Sequence, residues 1–175
     1  PVSGDAIFSG RASSPNFPTT PGAYKERLCD SPQSCSGIFY SGSYVVRIDP
    51  AGSAVFSTLF NAGVNASAFD QNGNAVLAGT APSNFPTTPG AFQPASTGGT
   101  EGFIAKLDPS GSTIVFGTFL GGGTQSDRVR GIVLDAAQNI YVTGQTQNTG
   151  FPTTEGAFDR TYNGGEDAFV TKLNP

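Results

Sequence analysis

The side chains that could do chemistry in this chain are mainly acidic. Its 175 residues include 13 Asp and Glu but no His, so a Ser-His-Asp or Cys-His catalytic arrangement cannot form within it. Glycoside hydrolysis would need two carboxylates held at a fixed separation in a cleft. Most of the acids instead recur at equivalent turn positions, and these are Asp49, Asp70, Asp108 and Asp135. We therefore predict no catalytic residue and no enzymatic activity.

Four less regular acids lie beside glycine-rich stretches, and they are Glu101, Asp127, Glu166 and Asp167. Carboxylates in such loops can bind calcium through their oxygens. Their spacing, however, is neither that of an EF-hand nor that of an RTX repeat. We predict that they are solvated loop acids or caps on backbone amides, with calcium binding as the alternative, and we predict no metal site and no cofactor.

The two cysteines, Cys29 and Cys35, both lie in the segment KERLCDSPQSC. Because they are six positions apart, they can close a small loop that stabilises the chain by about 2 kcal/mol. We predict a disulfide, which suits an extracellular setting; the alternative is two free thiols on a surface loop. Two Cys without His fall short of the four ligands that zinc usually takes.

Basic residues are few, and three of them recur at one strand position: Arg47, Lys106 and Lys172. A cation among apolar neighbours usually lays its stem on the sheet and pairs at the rim; a ligand-binding ring of cations is the alternative. The net charge of −4 gives no basic surface for nucleic acid. Without a long apolar run or a charged amphipathic segment, we expect no membrane insertion.

A nine-residue motif occurs three times, as NFPTTPGAY at 16–24, NFPTTPGAF at 84–92 and GFPTTEGAF at 150–158. The period of about 66 to 68 residues is typical of a blade or solenoid unit. We predict that the motif packs onto each blade as a clamp, with two aromatic anchors and a Gly turn between them. The clamp residues are Phe17, Gly22, Tyr24, Phe85, Gly90, Phe92, Phe151, Gly156 and Phe158. Recognition of a ligand is the alternative.

Each full repeat contains four short strand candidates, which in the second repeat are 74–80, 102–108, 113–120 and 129–135. The motif falls between the second and third strands of a blade. The turns DPAG and DPSG have the pattern of type I turns and indicate antiparallel hairpins. In FIAKL, Phe103, Ala105 and Leu107 share one face, but Ile104 is apolar on the other. A sheet of this kind must be covered on both faces, as in a β-propeller.

The run GIVLDAAQNIYVTGQT, with FPTTEGAF, GGEDAFVTKLNP and IVFGTFLGGG, closely resembles the SBBP repeat, a bacterial β-propeller repeat of large secreted or surface proteins. The resemblance covers nearly the whole chain. It implies one four-stranded blade per repeat and implies little about activity. The first repeat departs from the pattern, with about nine extra residues between Tyr24 and Tyr44 and about six fewer after Phe60.

We therefore expect an all-β fold of β-propeller-type blades with four antiparallel strands each, about two and a half blades in a single array over 1–175. The first blade, 1–60, is partial and carries the Cys-containing insertion at about 25–43; 61–120 is a complete blade, and 121–175 is a partial third. Propellers have at least about four blades. We expect the chain to be a fragment of a longer propeller or to complete a ring or filament with other chains.

The function expected from these features is that of a non-enzymatic structural or adhesive module, extracellular or on the cell surface. Its partners would be other copies of itself or the remainder of a longer propeller. The alternative is a propeller that binds a glycan or a surface protein. Since the chain has no Trp, sugar stacking would depend on Tyr40, Tyr44 and Tyr162.

Overall fold

The computed structural model describes residues 4–14, 16–28 and 42–174, and this part of the chain is all-β. The described residues form no helix, and so none that could cross a membrane. The strands are β1 (Ala6–Ala12), β2 (Gly42–Ile48), β3 (Ala54–Phe60), β4 (Gly63–Phe69), β5 (Ala75–Ala81), β6 (Glu101–Leu107), β7 (Ile114–Leu120), β8 (Asp127–Leu134), β9 (Ile140–Thr146) and β10 (Asp167–Leu173).

The strands form three antiparallel sheets, with the orders β1-β2-β3, β4-β5-β6-β7 and β10-β9-β8. We call them the first, second and third sheets. The expected fold class is confirmed, and in the described part of the chain the sheets do not close into a ring. The strand candidate at 129–135 becomes β8, which pairs with β9 rather than β7. The four strand candidates of the second repeat are therefore divided between two sheets.

The second sheet is buried on both faces, as its sequence pattern requires. Because successive side chains of a strand point to opposite faces, β6 places Phe103 and Leu107 on one side and Ile104 on the other. Phe103 packs in a cluster with Phe56 and Phe60 of the first sheet. On the opposite side, Ile104 packs in a cluster formed with the third sheet. The three sheets are therefore stacked face to face, with two apolar cores between them.

The first strands of the second and third sheets, β4 and β8, each carry a bulge. The register of β4 on β5 shifts between Val64 and Ala66. The intervening residue, Asn65, uses its side-chain amide to donate a hydrogen bond to Val129 O of β8 over 2.8 Å. The bulge thus redirects a polar side chain from the second sheet to the third. A second polar contact, between the hydroxyls of Ser9 and Ser67 at 3.3 Å, links β1 to β4.

Candidate functional site

The first aromatic residue of the motif packs in the same way in all three copies. Phe17 stacks on Tyr44 with ring centroids 4.9 Å apart. Phe85 packs on Phe103 at 4.8 Å, and Phe151 stacks on Phe169 at 4.4 Å. Tyr44, Phe103 and Phe169 occupy one strand slot, since each pairs with a glycine of the neighbouring strand. This repeated contact anchors the motif to its sheet.

The middle of the motif covers the edge strand of the first and second sheets. In the second copy, Thr88 N–H donates to Gly117 O of β7, and Thr88 Oγ1 accepts from Gly117 N–H, both over 3.1 Å. The first copy repeats this exchange between Thr20 and Ser57 of β3, at 2.9 and 3.0 Å. An exposed strand edge readily pairs with other chains. The motif therefore satisfies part of the backbone of that edge from within the chain.

The turn of the motif depends on its glycine. Gly22, Gly90 and Gly156 have φ values of 76°, 84° and 78°, in the left-handed region that side chains with a Cβ rarely adopt. In the second copy Ala91 N–H donates to Thr88 O at 3.0 Å, which closes the turn. The structure thus places the predicted turn glycines in the conformation for which glycine is suited.

The closing aromatic residue behaves differently from the prediction in two of the three copies. Tyr24 is half-buried beside Phe60, with ring centroids 5.6 Å apart, and its N–H donates to Gly111 O at 2.8 Å. Burial raises the pKa of its hydroxyl. Phe92 is 55% exposed and Phe158 is fully exposed, so neither is an anchor there. The difference arises because the β6–β7 turn of the neighbouring sheet covers Tyr24, and the described residues supply no equivalent turn after β10.

Two of the residues proposed for glycan stacking are described. Tyr44 is occupied by its stack on Phe17. Tyr162 lines an open groove of about 690 Å³ together with Gly122, Gln147 and Asn148, and its hydroxyl donates to Gly165 O at 2.8 Å. Tyr40 lies outside the described residues. So do Cys29 and Cys35, and their disulfide stays a prediction.

The less regular acids divide into two kinds. Glu166 is exposed and accepts hydrogen bonds from Gln145 and Gln147, as expected for a solvated acid. Glu101 and Asp127 are fully buried and accept hydrogen bonds from the N–H groups of Thr97 and Gly122, so they are caps on backbone amides, as predicted, and not solvated acids. Their burial follows from the parallel bridge between Thr100 and Ser126, which brings the second and third sheets together over both side chains. Glu166, Glu101 and Asp127 all accept hydrogen bonds from neutral donors.

The cations at the repeated strand position all contact neighbouring groups of the protein. Arg47 Nε lies 2.6 Å from Asp5 Oδ2, and its Nη1 donates to Pro109 O at 3.1 Å. Lys106 Nζ lies 3.7 Å from Asp70 Oδ2, while Lys172 Nζ lies 5.4 Å from the centre of the Tyr141 ring. This arrangement supports sheet packing rather than a ring of free cations. Arg47 in particular joins the first sheet to the second.

The recurring acids stabilise turns, and their hydrogen bonds lower the pKa of some of them. Asp135 accepts from the side chain and N–H of Asn139, and these bonds lower the pKa of its carboxyl despite the effect of burial. At Asp108, partial burial alone would raise the pKa, but hydrogen bonds from Ser110, Thr113 and Ser112 outweigh it and lower the pKa. Each of these carboxylates is used by its own turn.

We expect the thermal stability to fall as the pH decreases below about 4. The pKa values of Asp108, Asp135 and Asp159 are lower in the folded chain than the ordinary 3.8, so the unfolded chain binds more protons. Their contribution is complete above the ordinary pKa and is lost as the pH falls through the folded values. Thermal unfolding followed by circular dichroism between pH 7 and pH 2 measures this. Asp135→Asn should flatten the profile modestly, and an unchanged profile would contradict this role.

The glycines opposite the bulges were not singled out from the sequence. Gly79 lies opposite the bulge at Asn65, and a Cβ on Gly79 would lie 1.8 Å from Gly63 O. Gly144 has the same place in the third sheet, with Arg128 O at 1.9 Å. A glycine inside a strand pattern often marks a bulge or a close backbone approach. That signal was present in VLAGT and YVTGQ.

The stack of antiparallel sheets, with the first aromatic residue of each motif copy packed on β2, β6 or β10, defines this protein as one built from β-propeller-type blades. Residues 115–152 match the sequence model of a known family, described as SBBP, beta-propeller repeat. This segment therefore carries the SBBP beta-propeller repeat, and the resemblance seen in the sequence is confirmed there. The matched segment runs from β7 through β8 and β9 to the start of the third motif copy. No curated protein matches the chain significantly.

Proposed function

We propose that the chain is a non-enzymatic structural module, extracellular or on the cell surface, whose blades stack against a second copy of the chain. The observation that carries this proposal is the apolar character of the two outer faces of the stack. Both outer faces carry exposed apolar side chains at positions that are buried in the second sheet. We call them the first outer face, on the first sheet, and the third outer face, on the third sheet.

The third outer face is centred on Val170 of β10, whose side chain is 78% exposed. Val170 pairs with Thr143 as Ile104 pairs with Ala78, so it occupies the strand slot of Ile104. In the second sheet that slot is fully buried, because the third sheet covers it. Val133 is also exposed on β8. This face therefore has the pattern of one that accepts a further sheet.

The first outer face carries Phe8 of β1, which is 50% exposed. Phe8 pairs with Val46 as Leu77 pairs with Ala105. Leu77 is fully buried, because its face of the second sheet packs against the first sheet. The first outer face thus has the apolar pattern of the blade face that packs against the preceding sheet, whereas the third outer face has the pattern of the face that packs against the following sheet.

The two outer faces are complementary to each other rather than each to itself. In the second sheet, Leu77 faces the first sheet and Ile104 faces the third. The first outer face of one copy, around Phe8, therefore fits against the third outer face of another copy, around Val170. Contacts of this heterologous kind generate a ring when the rotation closes and a filament when it does not. Exposed apolar patches on both faces favour such association. The predicted disulfide supports the extracellular placement, and so does the resemblance to a repeat of large secreted or surface proteins.

Replacing Val170 by Lys is expected to weaken self-association by at least about tenfold, because a charge would have to be desolvated in the contact. Multi-angle light scattering over a concentration series measures the mass, which should exceed the 17.9 kDa of one chain for the unmodified protein. Val115→Lys is the matched control. Val115 is 50% exposed but lies on the edge strand β7, outside both outer faces.

A mass of one chain at every concentration would contradict assembly with a second copy. The outer faces would then be covered by further blades of a longer chain. In that case Val170 would be protected from hydrogen exchange or labelling in a longer expressed segment. If Val115→Lys weakened self-association equally, the effect would come from the added charge wherever it is placed. That result would contradict the assignment of the contact to the third outer face.

Glycan or protein binding is the second candidate function, and the groove beside Tyr162 is the feature that favours it. The groove combines the aromatic ring with the amide side chain of Gln147, which suits sugar hydroxyls, whereas the Asn148 amide is buried and bonded to Asp127 and Gln125. A glycan array probed with the assembled protein tests this function. Binding that is lost in Tyr162→Ala would support it, and absence of binding to any glycan would remove the lectin version.

A further inference from the structure

Two fully buried carboxylates meet where the second and third sheets join. Glu101 is the first residue of β6 and Asp127 the first of β8. The residues before them, Thr100 and Ser126, form a parallel bridge, and Asp127 N–H donates to Thr100 O at 2.7 Å. Paired strand segments lie about 4.8 Å apart. The two carboxylate side chains therefore leave neighbouring segments in register.

Their closeness is also seen at Gly121, which both side chains flank. A Cβ on Gly121 would lie 2.9 Å from Asp127 Oδ2 and 2.9 Å from Glu101 Cγ. The close approach of the two acids around this glycine means that any side chain there would displace one of them. The two carboxylates thus border one small polar region beneath the loop at 121–126.

Each carboxylate uses only one of its two oxygens. Glu101 Oε1 accepts from Thr97 N–H at 2.5 Å, from the Thr97 hydroxyl and from Gln93 Nε2 at 3.3 Å. Asp127 Oδ2 accepts from Gly122 N–H at 2.8 Å and Asn148 Nδ2 at 2.9 Å. Glu101 Oε2 and Asp127 Oδ1 are buried and have no hydrogen-bond partner. In the described residues neither carboxylate has an ion pair with Lys or Arg.

This arrangement is unfavourable without a positive charge. A buried carboxylate with an unsatisfied oxygen is costly, and a second carboxylate beside it adds like-charge repulsion. The hydrogen-bond donors around both groups are neutral. They therefore supply no positive charge to compensate a buried carboxylate.

The junction between the first and second sheets lacks these acids. There the slot of Glu101 is occupied by Gly42 and the slot of Asp127 by Ala62, as the strand registers show. Ser43 Oγ accepts from Val64 N–H at 2.8 Å at that junction. Sheets of this chain therefore stack without acids at this position, and stacking alone does not explain the acidic pair.

We propose that Glu101 and Asp127 bind a calcium ion that fastens the third sheet to the second. The free oxygens are hard ligands of the kind that calcium takes, and calcium tolerates irregular coordination better than magnesium does. The described residues hold no cluster of three or more acidic, His or Cys side chains, so backbone carbonyl and water oxygens complete the coordination. The site is independent of the assembly proposed above.

Calcium titration of chelator-treated protein tests the site, with isothermal calorimetry for binding and thermal unfolding for stability. We expect one calcium per chain and a saturable rise in Tm, with no comparable rise for magnesium. Glu101→Gln and Asp127→Asn should each weaken calcium binding about tenfold or more and remove the rise in Tm. In chelator both variants should unfold at or above the Tm of the unmodified protein, because the repulsion between the carboxylates is gone.

Asp167→Asn is the matched control. Asp167 occupies the slot of Glu101 in the third sheet and accepts from Asn163 N–H at 2.7 Å, but no acid is paired with it among the described residues. This variant should keep the calcium response. Repeating the titration in Val170→Lys separates the site from self-association. No binding heat and no change of Tm at millimolar calcium would overturn the proposal.

Discussion

Replacing Phe85 by Ala is expected to destabilise the fold by about 3–5 kcal/mol, the range found for large aromatic truncations in a core. Phe85 is only 7% exposed, although it belongs to a long connection rather than to a strand. Its ring contacts Phe60, Phe103 and Phe119, with centroids 6.1, 4.8 and 5.7 Å away. Because Phe60 belongs to the first sheet, the truncation would open a cavity between two sheets.

Urea unfolding monitored by circular dichroism measures the loss of unfolding free energy. In thermal unfolding, the Tm should fall by about 10 °C or more. Phe92→Ala is the matched control, since it removes the same side chain from the same motif copy. Phe92 is 55% exposed, so its loss should cost less than about 1 kcal/mol. If Phe85→Ala kept the full stability but abolished a binding activity, the motif would be a recognition element and the clamp interpretation would be wrong.

Replacing Gly79 by Ala is expected to cost about 3 kcal/mol, at the upper end of the range for overpacking. The new Cβ would lie 1.8 Å from Gly63 O and 3.0 Å from Asn65 N. Both are backbone atoms of the bulged strand, so no side-chain rotation can relieve the clash. To accommodate the methyl group, β4 would have to move away from β5. This would also weaken the bond from Asn65 to the third sheet.

Gly90→Ala is the control for this prediction. Gly90 has a φ of 84°, but a Cβ there would have no neighbouring atom within 4 Å, so only the left-handed backbone opposes the change, at about 1–2 kcal/mol. Gly144→Ala should match Gly79→Ala, because the bulge and the close approach recur in the third sheet. Equal stability of the Gly79 and Gly90 variants in urea unfolding would contradict the steric role of the bulge.

The proposals for assembly and for calcium concern different parts of the stack. Assembly depends on the outer faces around Phe8 and Val170, whereas calcium would act inside, at Glu101 and Asp127. A variant at one place should leave the other function intact. The two can therefore be tested in the same expressed chain, and failure of one does not decide the other.

Much of the fold could be predicted because its signals are local and repeated. The turns follow from Asp, Pro and Gly at fixed positions, since these residues restrict the backbone by themselves. The covering of both faces follows from Phe103 and Ile104 on adjacent positions of one strand. The location of the motif between the second and third strands of the second sheet, β5 and β6, was also predictable from the order of the segments.

Other features depend on which strands lie side by side in space. The sequence by itself determined the period, the hairpins, the first aromatic anchor of the motif and the class of fold, because each rests on neighbours along the chain. Only the tertiary structure decided that Tyr24 is covered while Phe92 is exposed, and that Glu101 is buried beside Asp127. The physical reason is that burial and charge pairing at these positions are set by the adjacent sheet, which identical local sequence does not specify.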